Sequence, residues 1–231
     1  MLCVSIMAKN NEEAVEKMAE AAAYADLYEL RLDFFMEFDL AKLVAASPRP
    51  LIVTYRSKKE GGLGRAPYKI RLRYLHQAVS LGVEYVDLEY SLPLEYRAPL
   101  LSSRGKSKII ISKHFCNHTP RRADLKRWLH KLVSTGADVA KLVTKANDPL
   151  DNLRVLELMP LAHQLGVPII AFCMGEYGKI SRIASVLMGG LLTFACLNEK
   201  ETSAPGQIAI KDMKTIFKIL KGDNSQRIKT F

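Results

Sequence analysis

No stretch of this 231-residue sequence approaches the roughly 20 consecutive apolar residues that a membrane-crossing helix requires; the longest, "LMGGLLTFACL", is far shorter. The N-terminus "MLCVSIMAKN" lacks the basic region and small-residue cleavage site of a signal peptide. It reads as a first core strand, and a cytoplasmic protein with no membrane partner is expected. The four cysteines, Cys3, Cys116, Cys173 and Cys196, are widely spaced and include no CxxC pair, which argues against a disulfide framework or a zinc ribbon. "HFCNH" brings His114, Cys116 and His118 close together but lacks a second ligand cluster, so no metal is expected. No Gly-rich dinucleotide fingerprint follows any strand-like run, and no linker or low-complexity segment divides the chain. Acidic residues are outnumbered, giving a net charge of +10. The basic residues are nevertheless spread over nearly every helix-like segment, and the knots "YKIRLRY" and "PRRADLKRW" read as solvated helix faces. A nucleic-acid partner would call for a basic stripe or tail, whereas a diffuse positive field suits a small anionic substrate.

What the sequence does hold is a regular alternation. Eight short runs rich in Val, Ile, Leu, Tyr or Phe recur along it: "LCVSIM", "LYELRLD", "PLIVTYR", "VEYVDLEY", "SKIIISKH", "DVAKLVT", "PIIAFCM" and "LLTFAC". Such runs are buried strands. Helix-like segments lie between them, notably "NEEAVEKMAEAAAYA", "PYKIRLRYLHQAVSLG", "RADLKRWLHKLVSTG" and "PLDNLRVLELMPLAHQLG", with weaker ones at "DLAKLVAAS" and "LPLEYRAPLLSS". Gly82, Gly136 and Gly166 stand where helix C-caps belong. An amphipathic helix, "QIAIKDMKTIFKIL", follows the last strand. Eight strands alternating with eight helices predict an α/β fold, a (β/α)8 TIM barrel of one domain over residues 1–221, with a polar tail at 222–231 expected to fray. A doubly wound sheet is the second choice.

One of these strands, "GADVAKLVTK", carries a lysine among apolar residues, although a lysine is seldom buried unless it is paired. Alternation in other strands also collects charge on one face: Glu29, Arg31 and Asp33; Thr54 and Arg56; Asp87 and Glu89; Ser112 and His114. A face turned to the surrounding helices would place those charges in an apolar layer. They must therefore point into the barrel, at the C-terminal end of the strands where barrel sites form. Glu29, Arg31, Arg56, Glu89, His114 and Lys141 would then converge. An unperturbed lysine is almost wholly protonated at pH 7, and desolvation or neighbouring positive charge would release the neutral amine. A neutral amine adds to a ketone to form an imine, which acidifies the adjacent C–H, and a histidine can move that proton. The residues alone thus suggest imine-forming carbonyl chemistry that needs no cofactor. A class I aldolase and a non-catalytic barrel binding an acidic ligand remain alternatives.

Seven motifs in order, "ELRLD", "TYRSKKEGG", "YVDLEY", "SKH" followed by "TP", "ADVAKL", "MGEYGKISR" and "SAPGQ", resemble the type I 3-dehydroquinate dehydratases of the shikimate pathway. The resemblance implies dehydration of 3-dehydroquinate, with Lys141 as the imine-forming lysine and His114 as the general acid and base. It further implies that Glu60 orients the histidine and that Arg182 takes the substrate carboxylate. Glu29, Arg31 and Arg56 would hold ring hydroxyls and balance charge, and Ser203 and Gln207 would belong to a closing loop. Met174 and Phe194 would pack on the ring, and Ser5 would offer a hydroxyl. The sequence departs from the family around the histidine, where Lys113, Phe115 and Cys116 stand in place of its usual aromatic, acidic or amide, and Phe residues. His118 is expected to be an ordinary loop histidine. Dimers are common in the family, so a homodimer is an expected assembly, and some relatives are fused to a shikimate dehydrogenase.

Overall fold

A computed structural model describes residues 1–221; the tail expected at 222–231 lies outside them. The eight apolar runs all form strands: β1 (Leu2–Ile6), β2 (Leu27–Arg31), β3 (Leu51–Thr54), β4 (Tyr85–Glu89), β5 (Lys108–His114), β6 (Val139–Lys145), β7 (Ile169–Met174) and β8 (Thr193–Ala195). They pair in parallel in the order β7-β6-β5-β4-β3-β2-β1-β8. This is a nearly closed barrel of one domain, as the alternation predicts. Between β7 and β8 there is no ladder among the described residues. A single Leu191 N–H to Ile169 carbonyl bond of 2.8 Å spans that edge.

The helices are α1 (Asn11–Ala21), α2 (Leu40–Ala46), α3 (Tyr68–Ser80), α4 (Leu94–Ser102), α5 (Arg122–Val133), α6 (Asp151–Leu156), α7 (Leu158–Gln164), α8 (Lys179–Leu187) and α9 (Ile210–Lys221). Their starts follow local chemistry: Asn10 accepts from the Glu13 N–H to open α1, and Asp39 accepts from Lys42 to open α2. Gly82, Gly136 and Gly166, just past α3, α5 and α7, all have positive φ. α5 buries Leu125, Leu129 and Leu132 completely, an i, i+4, i+7 stripe worth roughly 1.5–3 kcal/mol per leucine.

Two segments depart from the sequence reading. The helix expected over "PLDNLRVLELMPLAHQLG" is broken at Glu157 into α6 and α7. Pro160, in the first turn of α7, has no N–H to continue a helix from α6. The helix after β7, α8, is not among the segments singled out from the sequence, although Ile180, Ile183, Ala184 and Leu187 have helical spacing; its fully buried residues are instead Ser181, Arg182 and Ser185.

The alternation along the strands divides the protein into two cores. The outward face packs on the helices, as with Leu30, Val53, Leu88, Ile111 and Leu142. The inward face is apolar at the N-terminal end, where Cys3, Leu27, Ile52, Tyr85, Ile110 and Val139 meet. Two residues further along these strands the same face becomes polar, with Ser5, Glu29, Thr54, Asp87, Ser112 and Lys141. The polar groups therefore rest on an apolar floor.

Candidate active site

Lys141 lies on the inward face of β6 and is only 3% exposed. Its Nζ is 2.9 Å from Asp87 Oδ2 and 3.5 Å from Glu29 Oε1. The ammonium also sits 4.3 Å from the centroid of the Phe194 ring. Its immediate charged neighbours are thus carboxylates rather than the cations considered from the sequence. A buried ammonium without them would be an uncompensated charge. Ser5 Oγ and Thr54 Oγ1 donate to the two oxygens of Glu29, at 2.9 and 3.0 Å, and fix its carboxylate toward Lys141. Burial alone would raise the Glu29 carboxyl, but Lys141 and Arg31 hold it below its ordinary value.

Arg56, just beyond β3, is the hub of the network. It donates to Asp87 at 2.7 Å, Ser112 Oγ at 2.8 Å and Glu89 at 3.5 Å, and stands 3.8 Å from Glu60. Against the opposing effect of burial, those carboxylates raise the guanidinium above its usual range, while Arg56 and Lys141 hold Asp87 well below the carboxylate range. Glu89, expected among the converging charges, stands behind Arg56, where it accepts from Arg71 at 3.1 Å and from the Ser57 N–H at 2.7 Å. Arg31 forks onto Asp33 with bonds of 2.9 and 2.8 Å. Asp33 in turn accepts the N–H groups of Arg56 and Leu63 and anchors the loop after β3.

That loop folds back tightly: a Cβ on Gly62 would lie 2.3 Å from the Arg56 carbonyl oxygen. The fold-back delivers Glu60 to His114. Glu60 Oε2 is 3.1 Å from both the His114 N–H and Nδ1, and Oε1 is 3.4 Å from Lys113 Nζ. With Nδ1–H donating to Glu60, Nε2 is left as the proton acceptor of a neutral ring. Burial first, then the charge of Arg56, lowers His114 from 6.5 to about 4, with Glu60 opposing. Burial would raise Glu60, yet its hydrogen bond to His114 and the charges of His114, Arg56 and Lys113 hold it at about 2. His118 instead packs its ring on Phe115 at 5.9 Å.

Arg182, on α8, is 1% exposed. No carboxylate pairs with it among the described residues. Its Nη2 donates to the Pro205 carbonyl at 3.1 Å, its guanidinium lies 4.6 Å from the Phe172 ring, and its Nε has no partner. Burial lowers it from 12.5 to about 10. The "SAPGQ" segment closes this side. Gln207 Oε1 accepts from the Ser203 N–H at 2.7 Å and from its hydroxyl at 3.2 Å, and Gly175 N–H donates to Pro205 at 2.9 Å. Gly206, with φ +74, approaches so closely that a Cβ would lie 2.1 Å from the Gly175 carbonyl oxygen.

Lys141, His114, Glu60, Glu29, Arg31, Arg56, Arg182, Ser203, Gln207, Ser5, Met174 and Phe194, the residues singled out from the sequence, all line one cavity of about 270 Å³. Sequence reasoning passed over Asp87 and Asp33 as partners, although alternation placed both on inward faces. It also passed over Phe172, Val143 and Lys145, and named Cys116 as a departure beside the histidine rather than as a lining residue; all four share the wall. Phe172 sits two residues before Met174 on β7, so period-two spacing carried the signal. The cavity thus offers a buried amine, a neutral imidazole and an unpaired guanidinium on an apolar floor, suited to an anionic, hydroxylated carbonyl compound. Among the described residues no helix is long and apolar enough to cross a membrane.

The family model described as Type I 3-dehydroquinase matches residues 2–224. The chain is 36% identical over 220 residues to the 3-dehydroquinate dehydratase of Pyrococcus abyssi, spanning 95% of this chain and 98% of that protein. It is 35% identical over 223 residues to the bifunctional 3-dehydroquinate dehydratase/shikimate dehydrogenase of Arabidopsis thaliana, spanning 94% of this chain and 36% of that longer protein. In three dimensions it is similar to the 3-dehydroquinate dehydratase from Geobacillus kaustophilus, with a TM-score of 0.85, 27% identity, and coverage of 95% of this chain and 90% of that one.

Proposed function

Since the chain belongs to the type I 3-dehydroquinase family, we propose that it is a hydro-lyase converting 3-dehydroquinate to 3-dehydroshikimate and water through an imine on Lys141. The observation that carries this reading is the shared cavity of Lys141, His114 and the unpaired Arg182. The Lys141 ammonium first gives up its proton to water entering with the substrate, while the ionised Asp87 and Glu29 carboxylates stay beside the nitrogen to stabilise the protonated imine that follows. The free amine adds to the ring ketone, and the carbinolamine loses water to become the imine. Its protonated form withdraws electrons, and His114 Nε2 takes the proton from the neighbouring carbon, leaving an enamine. The imidazolium, steadied by Glu60, returns that proton to the hydroxyl departing from the next carbon. Water then hydrolyses the unsaturated imine, releasing the enone and Lys141.

Arg182 holds the substrate carboxylate with its free Nε and its Nη groups, a charge-assisted contact in a water-poor site. Glu29, Arg31 and Arg56 hold ring hydroxyls and keep the site electrically balanced, while Met174 and Phe194 pack on the ring. The Ser203–Gln207 loop keeps water from the imine. Residues 1–221 form the catalytic domain, and 222–231 a polar tail. The enzyme works in the cytoplasm and as a homodimer, an assembly for which the exposed apolar side chains of Leu150, Leu153, Tyr177 and Ile180 offer a surface.

The test is to incubate the protein with 3-dehydroquinate, follow the enone absorbance, and add borohydride to trap an adduct on Lys141. Turnover at an unchanged rate in Lys141→Ala would overturn the imine. His114→Ala should still form the adduct while eliminating water poorly, and His118→Ala should be active.

A further inference from the structure

The steps above leave Lys113 without a task. Strand alternation sends it away from the barrel interior, opposite in sense to Ser112 and His114. Its side chain nevertheless turns back to Glu60 and is only 21% exposed. Two rings hold the ammonium there: Nζ is 5.5 Å from the Phe115 centroid and 5.7 Å from that of Trp128. Trp128, from α5, is braced edge-on by Phe115 at 5.7 Å and Tyr90 at 5.2 Å. Glu60 is consequently divided. One oxygen faces the imidazole and the other faces Lys113.

We infer that Lys113 is a positioning residue that acts through Glu60 and sets how firmly the Glu60 carboxylate holds a proton on His114. This rests on His114 being the base. A carboxylate with nothing on its far oxygen would stabilise the imidazolium strongly, and the ring would be slow to release the proton it has taken. An ammonium on Oε1 draws off part of that negative charge while leaving the Oε2 contacts in place. Other groups face the pair. They are Arg56 at 3.8 Å from Glu60, Lys141 and Asp87 beyond it, the Cys116 thiol, and Arg31 and Lys145 on the cavity wall. Arg56 and Lys141 are engaged by the buried Asp87, Glu89 and Glu29. Among the described residues, Glu60 is the one carboxylate paired with Lys113.

The test compares the parent with Lys113→Met, Lys113→Gln and Lys113→Arg by NMR titration of His114 without ligand and by the pH profile of kcat/KM. The neutral variants should titrate His114 about one pH unit higher and move the acid limb of kcat/KM upward with it. Lys113→Arg should restore the parent midpoint. Trp128→Leu should shift it the same way by less. An unmoved midpoint in folded Lys113→Met or Lys113→Gln overturns the inference, as does an equal shift in Lys113→Arg. Retained activity in His114→Ala would instead sink the role of the base, while the titration would still report on Lys113.

Discussion

Arg182→Met should make the ligand-free protein more stable and the enzyme much worse. Burial lowers the Arg182 guanidinium from 12.5 to about 10. At 1.36 kcal/mol per pH unit that is about 3 kcal/mol of folding energy lost to holding the charge out of water. The sign follows from linkage: the fold disfavours the protonated form, so the penalty is full at pH 7. It fades only as pH climbs through about 10 toward 12.5. Against it stand the Pro205 hydrogen bond, worth about 1 kcal/mol, and the Phe172 face, worth about 1 kcal/mol. A methionine, which keeps much of the apolar stem, should therefore stabilise the protein by about 1 kcal/mol. For a domain of this size the melting temperature should rise by about 2–4 °C. Catalysis should move the other way. Losing a buried charge partner for the substrate removes roughly 2–5 kcal/mol, so kcat/KM should fall by about 30- to 5,000-fold. Calorimetry at pH 7 without ligand and the enone assay read the two effects. A variant that melts below the parent, or that keeps kcat/KM within about threefold, refutes the reasoning.

Asp87→Asn should destabilise the protein by about 3–5 kcal/mol in urea unfolding, because Lys141 and Arg56 lose their shared buried counter-charge; a loss under about 1 kcal/mol would contradict the network. His114 is lowered from 6.5 to about 4, so its contribution to stability is complete above pH 6.5 and disappears as pH falls toward 4, by about 3 kcal/mol. Urea unfolding of the parent and His114→Gln across that window should show a steeper pH dependence in the parent, and equal slopes would count against it. Gly206→Ala, strained at φ +74 and driven against Gly175, should raise KM about tenfold or more while circular dichroism stays unchanged. Parental kinetics in that variant would show that the loop tolerates displacement.

Strand positions were legible because all eight runs are short and apolar, as strands buried on both faces are. The charged upper layer was legible from period-two alternation: Glu29, His114 and Lys141 are anomalies only on faces that must turn inward. Partners were harder to read. Alternation puts both Asp87 and Glu89 inside, and the register runs Glu89–Ser112–Lys141 across β4, β5 and β6; even so it is Asp87 that reaches the Lys141 ammonium, and Glu89 that is left to Arg71. Helix α8 is short, and its apolar residues Ile180, Ile183, Ala184 and Leu187 gave no hint that the face buried most deeply would be Ser181, Arg182 and Ser185. The break before α7 was written in Pro160, yet the apolar residues on either side read as one continuous helix.

The incomplete pairing between β7 and β8 gives substrate a mechanical part to play. Arg182 follows β7 and the "SAPGQ" segment follows β8, so the two meet across the stretch of wall with the fewest backbone hydrogen bonds. An anion seated on Arg182 beneath that segment would fasten the wall where the backbone does not. Occupancy should therefore slow amide exchange at Leu191, whose N–H makes the bond across that edge, and by reciprocity a tighter wall would hold the ligand longer.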